Sequence, residues 1–252
     1  MPTFGLIGFP LGHSFSRRYF TDKFEQLGIS DSYRYLNFEL ADLQALPATL
    51  ARYDDLAGCN VTIPYKRDIL GFLDAIDPVA ARIGAVNTIA FTPEGLRGYN
   101  TDYIGFRDDF LHHRRQLGFS TTIAGQRALV LGTGGASLAV LEAFHELGVT
   151  PTLVSRSGAA GRITYADLDR TVLQEHQIVV NTTPLGTHPQ VDSRPPIPYE
   201  FLTPDHFAYD LVYNPAQTSF LTLAAHRGAG TANGLGMLHR QAEAAWKIWT
   251  AE

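Results

Sequence analysis

Arg127-Ala-Leu-Val-Leu-Gly132-Thr-Gly134-Gly135-Ala136-Ser137 is a short apolar run closed by a glycine-rich turn, and the residues beyond it to Leu147 carry helical spacing. Strand, tight turn and helix in that order make a βα unit. Such a turn places backbone N–H groups and the positive end of a helix where they can hold a pyrophosphate. The dinucleotide fingerprint is matched only in part, because Ser137 stands where a third glycine would be. A tight βα turn with no ligand therefore stays open as a reading. The next strand, Thr150 to Val154, narrows the choice of ligand. It runs into Ser155-Arg156-Ser157, where an NAD-binding unit usually places a carboxylate. A guanidinium and two hydroxyls suit a 2′-phosphate that a carboxylate would repel, which favours NADP over NAD.

Outward from this unit the α/β rhythm continues in both directions. Toward the carboxyl end come a strand at Gln177 to Asn181, a loop at Gly186 to Pro198 that holds four of the fourteen prolines, and a helix at Leu235 to Trp249. Toward the amino end, the polar stretch His112 to Gln126 reads as a solvated connection. His112-His113 within it lacks a third ligand at metal-binding spacing, so no metal site is expected. Before it, Phe4 to Gly8 reads as a buried strand and Arg17 to Leu27 as a helix stopped by Gly28. Tyr33 to Phe38 follows as a strand, Leu40 to Leu50 as a helix and Gly58 to Thr62 as a strand. Ala85 to Phe91 and Gly95 to Asn100 form a hairpin. The fold class is α/β with two domains, the first sheet largely parallel with one reversed strand.

Composition sets the outer limits. With 252 residues, 45% of them apolar and 18% charged, the chain can bury a substantial core and is not a disordered or fibrous sequence. A net charge of −5 offers no basic field for nucleic acid. Cys59 stands alone, which excludes an internal disulfide framework and fits a reducing cytoplasm. No apolar run approaches the roughly 20 residues that span a bilayer, and the start lacks the pattern of a secretory signal. Neither a membrane nor a nucleic-acid partner is expected.

Two charged residues fall where open α/β sheets place their ligands, beyond the ends of strands. Lys66 closes Asn60-Val-Thr62-Ile-Pro64-Tyr-Lys66, and Asp102 follows Asn100-Thr. Singly, a surface lysine and a helix N-cap explain them as well. Beside a nicotinamide they acquire a joint role. Reducing a carbonyl by hydride needs a proton for the developing alkoxide, which Lys66 can give, while Asp102 can orient the ammonium and accept from a substrate hydroxyl. Ser14, Ser16, Thr62, Asn87 and Gln241 add neutral donors and acceptors, suiting a small, multiply hydroxylated substrate. Local turns and caps are the other reading of each.

Read together, eight segments resemble the shikimate dehydrogenase family in order along nearly the whole chain. They are Pro10-Leu-Gly-His-Ser14-Phe-Ser16, Asn60 to Lys66, Ile83-Gly-Ala-Val-Asn-Thr88, Asn100-Thr-Asp102-Tyr-Ile-Gly-Phe106, Gly132 to Ser137, Asn181-Thr-Thr-Pro-Leu-Gly186, Asp210-Leu-Val-Tyr213-Asn-Pro215 and Gly236-Met-Leu-His-Arg-Gln241. The resemblance implies NADP-dependent, reversible reduction of 3-dehydroshikimate to shikimate by a monomer or homodimer. A substrate-binding and catalytic domain spans 1–101 plus 237–252, and a Rossmann-like NADP-binding domain spans 102–236.

By the same resemblance Lys66 and Asp102 are the catalytic pair. Ser14 and Ser16, helped by Tyr213, hold the carboxylate of a polyhydroxylated cyclohexene carboxylate, and Thr62, Asn87 and Gln241 bind its hydroxyls. Gly132, Gly134, Gly135, Ala136, Ser137, Ser155, Arg156, Ser157, Thr182, Thr183, Leu211 and Gly234 hold the cofactor. Two departures stand out: Arg17-Arg18 where the family commonly has a proline, and Ser155-Arg156-Ser157 where many members have Asn-Arg-Thr. His13 is expected to orient its turn. A quinate/shikimate dehydrogenase with NAD preference is the nearest rival, and a non-catalytic ligand-binding module on the same fold is the rival from another class.

Overall fold

The computed structural model describes residues 1–12, 15–159 and 161–251; the expectations for His13 and Ser14 lie outside them. The chain forms two compact units, Met1–Thr101 with Ala242–Glu252, and Asp102–Gln241.

The first unit contains β1 (Thr3–Gly8), α1 (Phe15–Gln26), β2 (Arg34–Glu39), α2 (Leu46–Leu50), β3 (Leu56–Val61), β4 (Ala75–Ile76), α3 (Pro78–Ile83), β5 (Thr88–Thr92) and β6 (Gly95–Tyr99). Its sheet has the order β2-β1-β3-β5-β6-β4, with β5 antiparallel to both neighbours and the other pairs parallel. β1 is buried along its whole length, as a central strand must be. Alternation divides its side chains between the two faces. Phe4 and Leu6 pack with Phe20, Phe24 and Trp246, while Ile7 packs with Phe38, Val61 and Ile89. The single helix expected over Leu40 to Leu50 is instead a 3₁₀ turn at Leu43–Ala45 followed by α2. Pro47 has no N–H for a continuous helical ladder, and it sits where a new helix tolerates it.

The second unit contains α4 (Asp102–Gln116), β7 (Arg127–Leu131), α5 (Gly135–Glu146), β8 (Thr150–Ser155), β9 (Arg162–Thr164), α6 (Arg170–Glu175), β10 (Ile178–Asn181), β11 (Phe207–Asp210), α7 (Ser219–His226), β12 (Gly230–Asn233) and the start of α8 (Leu235–Thr250). All five strand pairs are parallel, in the order β12-β11-β10-β7-β8-β9. This is the doubly wound arrangement, whose strand order reverses between β7 and β10. Ala128 and Val130 face Phe106, Phe110 and Phe144 on one side, and Leu129 and Leu131 face Leu173 and Phe220 on the other.

Two sequence expectations are corrected here. The connection expected from His112 begins only after Gln116, because α4 continues through both histidines. The turn at its end is apolar in effect: Arg114 is buried over the rings of Phe110, Phe119 and Phe207, and His113 faces Asp109 across one helical turn at 3.5 Å. The return to the first unit comes at Ala242, five residues after the expected 237. Met237 packs in the second unit's core and Arg240 pairs with buried Asp109 at 3.2 Å, so α8 joins the first unit only beyond Gln241. From there Glu243 pairs with Lys23 at 2.8 Å, and Trp249 donates to the Ile89 carbonyl at 2.9 Å.

Candidate active site

In the first unit the polar side chains gather at one edge of the sheet, because antiparallel β5 starts where β3 ends. Val61 N–H donates to the Asn87 carbonyl at 2.8 Å, and Val86 N–H donates to the Lys66 carbonyl at 2.7 Å. These two bonds fix the backbone of the lysine segment beside Asn87. Thr62 N–H donates to Ile7 O at 2.9 Å, which holds the threonine at the end of β1. The Asn87 side chain is buried and held by its neighbours. Its Oδ1 accepts from Thr101 N–H at 2.7 Å and from Thr88 Oγ1 at 3.1 Å, while its Nδ2 donates to Thr101 Oγ1 at 3.0 Å. Asn100 Nδ2 donates to Ala85 O at 3.0 Å. Through these bonds the chain is positioned up to the residue before Asp102, which opens α4.

The network reaches Ser16 through two residues that the sequence reading gave no role. Tyr35 donates its hydroxyl hydrogen to Asn60 Oδ1 at 2.7 Å, and the Ser16 hydroxyl hydrogen-bonds the same tyrosine. Burial pushes the Tyr35 phenol well above its usual pKa, so it remains a neutral donor. Asn60 Nδ2 in turn meets Asn87 O and Thr88 Oγ1, both at 3.3 Å. Ser16, Thr62, Lys66 and Asn87 thus share one edge. Arg17 and Arg18 project from α1 as exposed side chains, Arg18 beside Asp22 at 3.9 Å. Cys59, buried in β3, has its thiol pushed up by burial and takes no part.

In the second unit the residues expected at the cofactor lie at the carboxyl ends of strands, in the turns that follow them or in the first turn of α5. Gly132 follows β7 with φ +107°, and a Cβ there would stand 2.9 Å from Thr182 Oγ1 and from Thr183 Cγ2, so only glycine fits. Thr182 and Thr183 are held by the Leu131 carbonyl and Asn181 Oδ1, at 2.7 and 2.6 Å. Gly134 begins α5 with no side-chain cap, and the space in front of Gly134 and Gly135 is open to at least 4 Å. Among the described residues no side chain caps the start of that helix. Ser137 turns inward and donates to Gly134 O at 2.7 Å.

Exposed Arg156 and Ser157 follow β8, with Ser155 Oγ donating to Ser157 O at 2.5 Å. Gly234, after β12, comes so close to the Leu211 carbonyl that a side chain is excluded. A glycine turn open at a helix N-terminus beside the switch point, with a guanidinium at the next strand end, fits a phosphorylated dinucleotide. Tyr213 is exposed, whereas Gln241 is buried and donates to Leu238 O at 2.8 Å. Asp102, Tyr213 and Gln241 all belong to the second unit. Among the described residues no group of three or more His, Cys, Asp or Glu side chains could hold a metal ion, and no helix is long and apolar enough to cross a membrane.

Asp210 was quoted within a motif but given no role, and it proves to be the anchor of this edge. It accepts from Asn181 Nδ2, Val212 N–H and Thr218 Oγ1 at 2.8, 3.0 and 2.6 Å. An acidic residue ending an otherwise apolar strand was the available signal.

Comparison with known proteins bears on all of these segments. Residues 6–89 match the family described as the shikimate dehydrogenase substrate binding domain. The shikimate dehydrogenase (NADP(+)) of Moorella thermoacetica is 38% identical over 263 residues, covering 97% of this chain and 86% of that protein. The crystal structure of shikimate 5-dehydrogenase from Listeria monocytogenes in complex with shikimate and NAD has a TM-score of 0.87 at 28% identity, covering 100% of this chain and 92% of its own. That of the Thermus thermophilus enzyme, in complex with NADP(H) and shikimate, has a TM-score of 0.83 at 32% identity, with coverage of 100% and 94%. Sequence and fold agree along the full length, and the chain belongs to the shikimate dehydrogenase family.

Proposed function

We propose that this chain catalyses the reversible, NADP-dependent reduction of 3-dehydroshikimate to shikimate. The observation that carries the reading is the edge around Asn87, where amides and hydroxyls are fixed by one another and the lysine backbone is tied to the adjacent Val86. Groups already held in place discriminate by hydroxyl pattern, because a ligand lacking a hydroxyl leaves buried partners unpaired. The Gly132–Ser137 turn, Ser155, Arg156, Ser157, Thr182, Thr183, Leu211 and Gly234 would hold the cofactor, which would supply the hydride when bound.

The residues of the chain do the rest. Ser14, Ser16 and Tyr213 bind the substrate carboxylate, and Thr62, Asn87 and Gln241 bind its ring hydroxyls. As the carbonyl carbon accepts the hydride, its oxygen becomes an alkoxide, and the Lys66 ammonium delivers the proton that completes the alcohol. Asp102 accepts a hydrogen bond from a substrate hydroxyl and orients the lysine. In the oxidative direction neutral Lys66 takes that proton back. A cytoplasmic location belongs to the same reading, supported by the single, buried thiol of Cys59.

Initial rates of NADP+ reduction with shikimate test the reading, with quinate and NAD+ as paired controls. Turnover is expected with shikimate and NADP+, and at most slow turnover when either is replaced. No turnover with shikimate would overturn the activity, and equal rates with both cofactors would remove the role given to Arg156.

A further inference from the structure

The amino-terminal edge of the second sheet, at the opposite ends of the strands from the cofactor turns, borders a cavity of about 660 Å³. Gln126 and Gln177, which immediately precede β7 and β10, line it together with Gly230 at the start of β12, Arg114, Phe119 and Asp205. Its size falls in the range of about 300–1,000 Å³ typical of small-molecule sites.

Arg114 gives the cavity its chemistry. It is only 4% exposed, and its Nε donates to the Ser120 carbonyl at 2.9 Å. The guanidinium carbon sits 5.6, 5.3 and 5.5 Å from the ring centres of Phe110, Phe119 and Phe207. Among the described residues no acceptor meets its two Nη nitrogens and no carboxylate pairs with it. Burial alone depresses its pKa, so Asp205 in the same wall does not offset the loss of solvent. Nor are the Nη atoms sealed inside protein, since Asn37 Oδ1 is the one fully buried, unpartnered side-chain polar atom among the described residues. Arg114 is itself part of the cavity wall.

A buried cation with no counter-ion is costly, and a guanidinium, planar by its own bonding, presents a fork that fits a carboxylate through two parallel hydrogen bonds. We propose that this cavity is a second ligand site, for a small organic monocarboxylate whose head binds the Arg114 Nη atoms and whose apolar body lies against Phe119. With one guanidinium and an aspartate in the same wall, a monoanion leaves less uncompensated negative charge than a phosphate dianion. The site is independent of the catalytic reading, because none of its residues belongs to the proposed active site.

Two-dimensional amide NMR of the full chain tests this, with benzoate as the probe, benzamide as its neutral counterpart and inorganic phosphate as the competing anion. Benzoate is expected to produce saturable shifts at the Phe119 and Gly230 amides, with benzamide and phosphate binding there at least tenfold more weakly. Arg114→Lys keeps the charge but loses the fork, and it should weaken benzoate at least tenfold. Gln177→Glu, at an exposed position, brings a resident carboxylate to the cavity and should do the same while the remaining spectrum is unchanged. Should Arg114→Lys unfold, Gln177→Glu decides. Shifts confined to other residues, equal binding of benzamide or phosphate, or unchanged benzoate affinity in Gln177→Glu would each overturn the assignment.

Discussion

Asp210 shows how single groups set the working conditions of the cofactor edge. Three donors stabilise its charged form, yet its complete burial outweighs them and lifts the carboxyl from the usual carboxylate range to about 6. Between roughly pH 4 and pH 6 the folded chain therefore holds a proton that the unfolded chain has released. Stability falls as pH rises through that window, by on the order of 2–3 kcal/mol from this group, and is flat in it above the folded pKa. Asp210→Asn should remove this contribution, so the gap in unfolding free energy between parent and variant changes with pH from 4 to 6 and then levels. Urea unfolding of both at four pH values measures it; a gap constant across the window would show that Asp210 does not titrate there. At this scale legibility was uneven. Lys66 and Asn87 stand out at strand ends, but Tyr35 alternates like any strand residue and meets Asn60 25 positions away, a partnership no local pattern announces.

At the scale of elements the glycine-rich turn was readable because its signals are local: a strand, a positive-φ glycine and an uncapped helix lie within eleven residues. The end of α4 was not, since Arg114 looks solvated in a polar run, and the rings that bury it include Phe207, 93 positions away. α7 shows how one side chain joins two elements. Thr218 caps it by accepting from Leu221 N–H at 3.3 Å while donating to Asp210, so its hydroxyl ties the start of the helix to the end of β11. Thr218→Val keeps the shape and removes both bonds. It should cost about 1–2 kcal/mol in chemical unfolding, the usual worth of an N-cap. A loss below about 0.3 kcal/mol would mean that the cap is not formed in solution.

Considered whole, the molecule is stitched by a chain that leaves its first unit after Thr101 and returns at Ala242. Fold class followed from the alternation of short apolar runs with helical spacing. The point of return did not, because α8 is one continuous helix whose opening turns pack against α4. A chain ending at Gln241 would lose Trp246 and Trp249 from the aromatic cluster around Phe4, Phe20 and Phe24. Each large aromatic contributes about 3–5 kcal/mol, against a typical total of about 5–15 kcal/mol. Amide exchange on that truncated chain should find Met1–Thr101 unprotected while Asp102–Gln241, one unbroken segment, stays protected; protection of both would refute this dependence. Turnover draws on the entire chain, and proton delivery by Lys66 is the step on which the catalytic account rests. The most direct test compares steady-state reduction of 3-dehydroshikimate by NADPH in parent and Lys66→Ala. The account predicts a kcat lower by about 10²–10⁴-fold with KM changed only a few-fold, as for a contact made in the transition state; a kcat within tenfold of the parent would contradict it.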